Sequence, residues 1–195
     1  MATAEREVRK KISYEEYLTM PEINLRYEII DGEMVMSPAP TFDHQWIIQN
    51  LLDALRPHCK KKKVGAVVAA PCDVLIRRSP LRTRQPDVLY VSFKRSGKTI
   101  SELRQMVVLD VVPDLVVEIL SPSDRRSVLK SKLDDYIKIG VQECWVISPQ
   151  AETVEVVRLT SGSATTVKLY DSLETLRSEV LSDFKMKVAD IFADD

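Results

Sequence analysis

The chain has 195 residues and a formal net charge of −1, with 45% hydrophobic and 29% charged residues, as expected of a globular protein with one well-buried core. The three cysteines, Cys59, Cys72 and Cys144, lack CxxC spacing and there are only two histidines, so a disulfide framework and a zinc cluster are both disfavoured. The chain has no apolar window of roughly 20 residues, and the charged segment 1–11 does not resemble a secretory signal. We therefore expect a cytoplasmic protein whose metal, if it has one, is a hard cation held by carboxylates.

The small net charge conceals an uneven distribution along the chain. Between Arg56 and Lys98 there are 12 lysines and arginines but only two acids, Asp73 and Asp87. A basic segment of this kind can contact nucleic-acid phosphates. It can equally consist of solvated loops and strand edges, because lysine at a sheet edge discourages unwanted pairing. Both interpretations stay open at this point.

The first predicted elements are a short helix and a hairpin. Glu16, three residues after a serine, predicts a capped helix over Ser13–Met20. Asp31-Gly32 lies between the apolar runs 27–30 and 33–36, which predicts a β-hairpin with a two-residue turn.

A long helix and a β-rich segment are predicted next. Apolar residues at helical spacing predict a helix over about 43–56. Residues 64–70 and 73–77 are expected to be adjacent strands, and residues 85–93 to form another. We expect a basic loop over 77–84 to join the last two of these strands.

The second half of the chain predicts a strand–helix–strand unit. Residues 115–120 are apolar except for Glu118, which is typical of a central strand covered on both faces. Ser121 is the expected N-cap of a helix that runs to about Ile139, and residues 144–147 form the following strand. This order predicts a right-handed parallel crossover. The remainder is expected to contain strands at 153–159 and 165–170 and a short packing helix within 184–192. The pattern as a whole indicates an α/β fold.

Two acids inside predicted strands are the strongest candidates for chemistry. Asp87 and Glu118 each occupy a strand rich in apolar residues, where a carboxylate is costly unless it is paired, hydrogen-bonded or bound to metal. Together they could converge on one Mg²⁺ ion, which prefers oxygen ligands and retains water or substrate phosphate. The alternative for each is a structural carboxylate held by backbone donors or by an arginine.

Hydrolysis of a phosphodiester also needs positive charge beside the attacking water. The helix after Glu118 offers Lys130 and Lys132 on opposite flanks of its buried stripe, and either could extend along the sheet towards that acid. An exposed lysine on a helix flank is an equally good interpretation. Glu28 is either a third carboxylate or a member of a surface pair. His44, near a helix start, could cap, bind phosphate or transfer a proton.

Several short motifs follow one another in a particular order along the chain. They are Tyr27-Glu28-Ile29-Ile30-Asp31-Gly32-Glu33, Met36-Ser37-Pro38-Ala39-Pro40 with His44, Gln85-Pro86-Asp87-Val88, Pro113-Asp114-Leu115-Val116-Val117-Glu118-Ile119-Leu120-Ser121-Pro122-Ser123, and Lys132-Leu133 with Tyr136, Gly140-Val141 and Glu143-Cys144-Trp145. In combination, over about residues 13–150, they resemble the Uma-type putative restriction endonuclease family.

The resemblance implies a restriction endonuclease-like PD-(D/E)XK core, a mixed sheet with flanking helices. It implies that Asp87 is the aspartate of the motif and Glu118 its second acid. Leu120 stands where the lysine of the motif normally lies, and the resemblance implies that Lys132 reaches the same point from the following helix. Glu28 matches the acid of the Tyr-Glu pattern and is implied as a supporting carboxylate.

We expect one nuclease-like domain over residues 1–195. Its parts are an N-terminal helix and hairpin over 13–36, a core over 43–150, and C-terminal strands with a short helix over 151–195.

The expected activity is Mg²⁺-dependent hydrolysis of DNA, with Mn²⁺ as a substitute and with Asp87 and Glu118 as metal ligands. Weaker candidates for contacts to nucleic acid are His44, Arg82, Arg84 and Lys130. A homodimer is expected because cutting a duplex usually takes two sites, and no contact with a membrane is expected. One alternative is a nuclease fold without catalysis that binds nucleic acid or a protein. Another is a structural dimer without a nucleic-acid role.

Overall fold

The computed structural model describes residues 11–194 except 22, 24 and 122–125. Its helices are α1 (Tyr14–Thr19), α2 (Phe42–Lys62), α3 (Phe93–Ser96), α4 (Ile100–Leu103), α5 (Arg126–Ile139) and α6 (Ala189–Phe192). Its strands are β1 (Tyr27–Ile30), β2 (Glu33–Met36), β3 (Gly65–Ala69), β4 (Val74–Arg77), β5 (Arg82–Arg84), β6 (Val88–Ser92), β7 (Leu115–Ile119), β8 (Glu143–Ser148), β9 (Thr153–Thr160), β10 (Ser163–Tyr170), β11 (Thr175–Arg177) and β12 (Lys185–Lys187).

A six-stranded mixed sheet in the order β10-β9-β8-β7-β6-β3 organises the fold. Strands β7 and β8 are parallel and are joined through α5, whereas the other neighbouring pairs are antiparallel. The expected mixed sheet is therefore confirmed, and so is the parallel pairing predicted for the strand–helix–strand unit.

Helices cover both faces of this sheet, as the alternation of side chains along β7 illustrates. Val117 points into a core shared with Leu51 of α2, and its neighbour Val116 points into a second core shared with Tyr136 of α5. Because successive residues of a strand face opposite sides, Glu118 lies on the α5 face.

Two hairpins form a smaller layer beside the sheet. Strands β1 and β2 pair around Asp31-Gly32, as predicted, and β4 pairs with β5. The hairpins contact one another where Thr83 Oγ1 accepts from the Ile29 N–H at 3.1 Å. This contact brings β1 next to β5, which places residues from both hairpins at the end of the central sheet.

Several predicted boundaries were wrong. The helix expected to end at Arg56 continues through Pro57 to Lys62, because Leu55 and Cys59 continue its buried stripe. The expected basic loop over 77–84 is the tight hairpin of β4 and β5.

The strands predicted as adjacent, 64–70 and 73–77, do not pair with each other: β3 pairs with β6, and β4 pairs with β5. Most of the predicted helix start around Ser121 falls at residues 122–125, outside the described part of the chain. In the described ranges, none of the helices has both the length and the apolar character needed to cross a bilayer.

Candidate active site

A cavity of about 970 Å³ opens between the β1–β2 hairpin, the loop after β2, the start of α2 and the start of α5. Seven of the eight site residues predicted from the sequence line it: Glu28, His44, Arg82, Arg84, Asp87, Glu118 and Lys132. The eighth, Lys130, is an exposed residue of α5 and is not among the lining residues.

The two predicted acids are neighbours on adjacent strands. Strands β6 and β7 pair Val88 with Val117 in antiparallel register, so Asp87, directly before β6, lies near the end of β7 that carries Glu118. The Asp87 N–H donates to the Val117 carbonyl at 3.0 Å, and the Asp87 side chain accepts from the Ile119 N–H, next to Glu118. Asp87 is 2% exposed and Glu118 is 4% exposed.

Three groups surround the Asp87 carboxylate. Arg26 Nη2 donates to Oδ1 at 2.5 Å, and the Ile119 N–H donates to Oδ2 at 2.7 Å. His44 Nε2 lies 3.4 Å from Oδ2. Burial alone would raise the pKa of Asp87, but His44, Arg26 and the Ile119 N–H outweigh burial and hold it below its usual range. Asp87 is therefore ionised at neutral pH.

Glu118 has a different set of partners, both from α5. Lys132 Nζ donates to Oε2 at 2.6 Å and the Tyr136 hydroxyl donates to Oε1 at 2.5 Å. Burial raises the pKa of Glu118, and the neighbouring Asp87 carboxylate adds to the rise although Lys132 opposes it. Burial would lower the pKa of Lys132, but Glu118 and Glu28 raise it, so the lysine is charged.

Glu28 supplies a third carboxylate from β1. Its Oε2 accepts from Arg84 Nη1 at 2.6 Å and its Oε1 accepts from the Gln85 N–H at 3.2 Å. Oε1 is also 3.9 Å from Lys132 Nζ. Lys132 therefore lies between the carboxylates of Glu28 and Glu118, whereas Lys130 on the other flank of the same helix points to solvent.

The two arginines of β5 bind acids of the protein itself. Arg82 Nε donates to Asp135 Oδ2 at 2.6 Å, and Arg84 Nε donates to the same oxygen at 2.8 Å. Arg84 Nη2 also donates to Ser131 Oγ at 2.8 Å. Because Asp135 and Ser131 flank Lys132 along α5, these bonds fix the position of the lysine above the sheet.

Sequence reasoning missed three of these partners. Arg26 was not singled out, and its only local signal is an arginine directly before the Tyr27-Glu28 strand. Tyr136 was predicted as a member of the buried stripe of α5, and its hydroxyl also contacts Glu118. Asp135 is a fully buried acid next to that tyrosine, and nothing in the local sequence distinguishes it from its neighbour Asp134.

The donors of this site fit a hard divalent cation. Three carboxylates line one cavity. Burial and, to a smaller extent, repulsion by Asp87 raise the pKa of Glu118, and a bound cation would relieve that repulsion. In the described ranges, no three His, Cys, Asp or Glu side chains are grouped so as to hold a metal by themselves. An ion here would be held mainly by Asp87 and Glu118, with water and substrate oxygens completing its coordination, as is common for Mg²⁺.

Comparison with known proteins identifies the family of the chain and agrees with its fold. The model of a family described as "Uma2: Putative restriction endonuclease" matches residues 14–189. The chain therefore belongs to the Uma2 family, which confirms the resemblance seen in the motifs.

A solved structure shares the fold across nearly the whole chain. It is described as a putative nuclease belonging to DUF820 from Anabaena variabilis ATCC 29413, and it is similar with a TM-score of 0.74 at 20% identity, covering 93% of this chain and 97% of that chain. No curated protein matches the chain.

Proposed function

We propose that this protein is a metal-dependent nuclease that hydrolyses phosphodiester bonds of DNA, with Mg²⁺ as its ion and Mn²⁺ as a substitute. The observation that carries the proposal is that Asp87 and Glu118 line one cavity, with Lys132 Nζ 2.6 Å from the Glu118 carboxylate. Two acids and one ammonium group that line one cavity are the groups that metal-assisted hydrolysis requires.

Each residue has a distinct role in this proposal. Asp87 and Glu118 would hold the ion, which would supply a bound water of lowered pKa and positive charge for the phosphate. Lys132 orients the attacking water and stabilises the charge that develops on the phosphate oxygens. Arg26 and Arg84 balance the charge of Asp87 and Glu28 and keep both carboxylates in place.

DNA as the substrate rests on the description of the family and on the basic middle of the chain. Affinity for the phosphate backbone should then fall steeply with salt. The homodimer remains a prediction, and a mass from analytical ultracentrifugation that is twice the mass of the chain would support it.

The direct experiment is cleavage of long DNA by the purified protein during titration with Mg²⁺ and Mn²⁺. Asp87→Asn and Glu118→Gln should each lower the rate by about a thousandfold or more. Glu33→Gln is the matched control, because Glu33 is an exposed acid of the same β1–β2 hairpin as Glu28. Variants that keep their circular dichroism spectrum and cut as fast as the control would refute the proposal.

A second candidate is a module that binds nucleic acid without cutting it. It is favoured by the ion pairs of Asp87 with Arg26 and of Glu118 with Lys132, which neutralise both acids within the protein. It predicts binding that does not depend on divalent metal and no cleavage of any form of DNA.

A further inference from the structure

The depth of the acids restricts what can reach them. Asp87 and Glu118 are 2% and 4% exposed, and they line a cavity that is also lined by Lys132. Paired DNA is a stiff rod, whereas an unpaired strand can bend into a cavity, so the phosphate of an unpaired strand reaches these buried carboxylates more readily.

We propose that the substrate of this site is an unpaired DNA strand, such as a free end, a flap or a gap, whose bases contact an apolar wall of the cavity. This inference rests on the proposed nuclease function and names the substrate class of the same site.

The apolar wall is formed by residues on two sides of the cavity. Val35 and Met36 of β2 are 49% and 48% exposed, and Val128 of α5 is 45% exposed, yet all three line the cavity. Pro38, in the loop after β2, adds to the first side. Unpaired bases in nucleic-acid enzymes pack between apolar or aromatic side chains, so a separated base has a surface to cover here.

The distribution of charge also favours one strand over two. The four cations that line the cavity, Arg26, Arg82, Arg84 and Lys132, are each ion-paired with a carboxylate of the protein. These cations lie near the acids, where one phosphate would be cut.

The exposed lysines of residues 60–63 lie at and just beyond the other end of α2, and a helix of 21 residues spans about 30 Å. These lysines are therefore far from the cavity. Within the cavity, the apolar wall faces bases, and the paired cations near the acids face a single phosphate.

The test measures binding by fluorescence anisotropy of a labelled oligodeoxynucleotide in EDTA, so that nothing is cut. The same sequence is presented as a single strand and as a blunt-ended duplex with its complement. We expect the single strand to bind about tenfold more tightly or better. Equal or tighter binding of the duplex, or binding of neither form, would overturn the inference.

Variants of the wall make the test specific to the cavity. Val35→Ser and Val128→Ser should each weaken single-strand binding by roughly fivefold. Val167→Ser is the matched control, since Val167 is an exposed valine of β10 that does not line the cavity. Wall variants that bind single strands as well as this control would also overturn the inference.

Cleavage assays separate this inference from the nuclease proposal. A protein that cuts covalently closed duplex circles as fast as single-stranded circles is a nuclease, but its substrate is not the one inferred here. A protein that binds single strands through the wall and cuts nothing has the inferred ligand but is not a nuclease.

Discussion

Replacing Lys132 by methionine removes one charge from the site and leaves the packing of the side chain nearly unchanged. Lys132 Nζ lies 2.6 Å from Glu118 Oε2, and the two side chains are 17% and 5% exposed. Methionine keeps most of the apolar stem, so the variant leaves the Glu118 carboxylate buried without its cation.

The magnitude follows from the burial of this pair. Removing one partner of a buried ion pair costs about 3–5 kcal/mol. The Tyr136 hydroxyl still donates to Glu118, so we expect the lower end, a loss of about 3 kcal/mol in the free energy of unfolding. In a chain of 195 residues, that lowers the melting temperature by roughly 6–12 °C.

The loss should depend on pH in a definite direction. Burial raises the pKa of Glu118 in the folded protein, and loss of Lys132 raises it further. A carboxylate with a raised folded pKa destabilises the protein increasingly as pH rises from its unfolded pKa through its folded pKa. The deficit of Lys132→Met should therefore be largest at neutral pH and shrink as pH falls towards the ordinary glutamate pKa.

The assay combines thermal unfolding at several pH values with DNA cleavage. Lys130→Met is the control, because Lys130 is exposed on the same helix, and it should change stability by less than about 0.5 kcal/mol. The double variant Lys132→Met/Glu118→Gln should regain most of the stability but no activity, since neither charge remains. The reasoning is refuted if Lys132→Met melts at the temperature of the control at neutral pH.

Three further substitutions test the packing of the central sheet and of the site. Gly65→Ala would place a Cβ 2.2 Å from the Val91 carbonyl oxygen. Thermal melting should therefore show a loss of roughly 1–3 kcal/mol or more in the free energy of unfolding, and an unchanged melting temperature would contradict the close approach. Tyr136→Phe removes the hydroxyl that donates to Glu118. Urea unfolding should show a loss of about 1.5–3 kcal/mol in the free energy of unfolding, and a change within experimental error would contradict this role of the hydroxyl. Asp135→Asn removes the carboxylate that both arginines of β5 share, although Arg84 keeps Glu28 and Arg82 keeps Asp31. Urea unfolding should therefore show a loss at the lower end for a buried pair, about 3 kcal/mol, and a protein of unchanged stability would argue against this buried network.

The elements that sequence predicted well are those with strong local signals. The β1–β2 hairpin follows from Asp31-Gly32 between two apolar runs, and Asp31 and Gly32 both have positive φ in the structure. The central strand β7 follows from an apolar run interrupted only by Glu118. These signals lie within a few residues of the element that they specify, so one sequence suffices to read them.

The meeting of Asp87 with Glu118 could not be derived in the same way. It depends on the antiparallel register of β6 with β7, and the connection between these strands contains two short helices, α3 and α4, which the sequence pattern did not predict. Pairing of distant strands is set by the packing of the whole sheet, and a local pattern does not contain it. The motif order of the family supplied this expectation instead.

The long helix α2 shows how packing overrides a local signal. Proline disfavours a helix interior because it lacks an N–H and clashes with the preceding turn. In α2 the helix continues past Pro57 because Leu55 and Cys59 on either side of it are both buried. Burial of these residues outweighs the lost hydrogen bond.

The basic middle of the chain divides into two groups. Arg84 is 4% exposed and binds Glu28 and Asp135, so it belongs to the interior of the site. Lys60 and Lys61 are exposed at the end of α2. A count of charges along the sequence cannot separate these groups, because the direction of each side chain is set by the tertiary contacts of its element.

The most direct test of the central claim is the anomalous scattering of Mn²⁺ in crystals of the protein soaked with that ion. We predict a peak within bonding distance of both the Asp87 and the Glu118 carboxylates, and its loss in crystals of Glu118→Gln. A fully soaked crystal without a peak between these acids, with Arg26 and Lys132 still bound to them, would contradict the account.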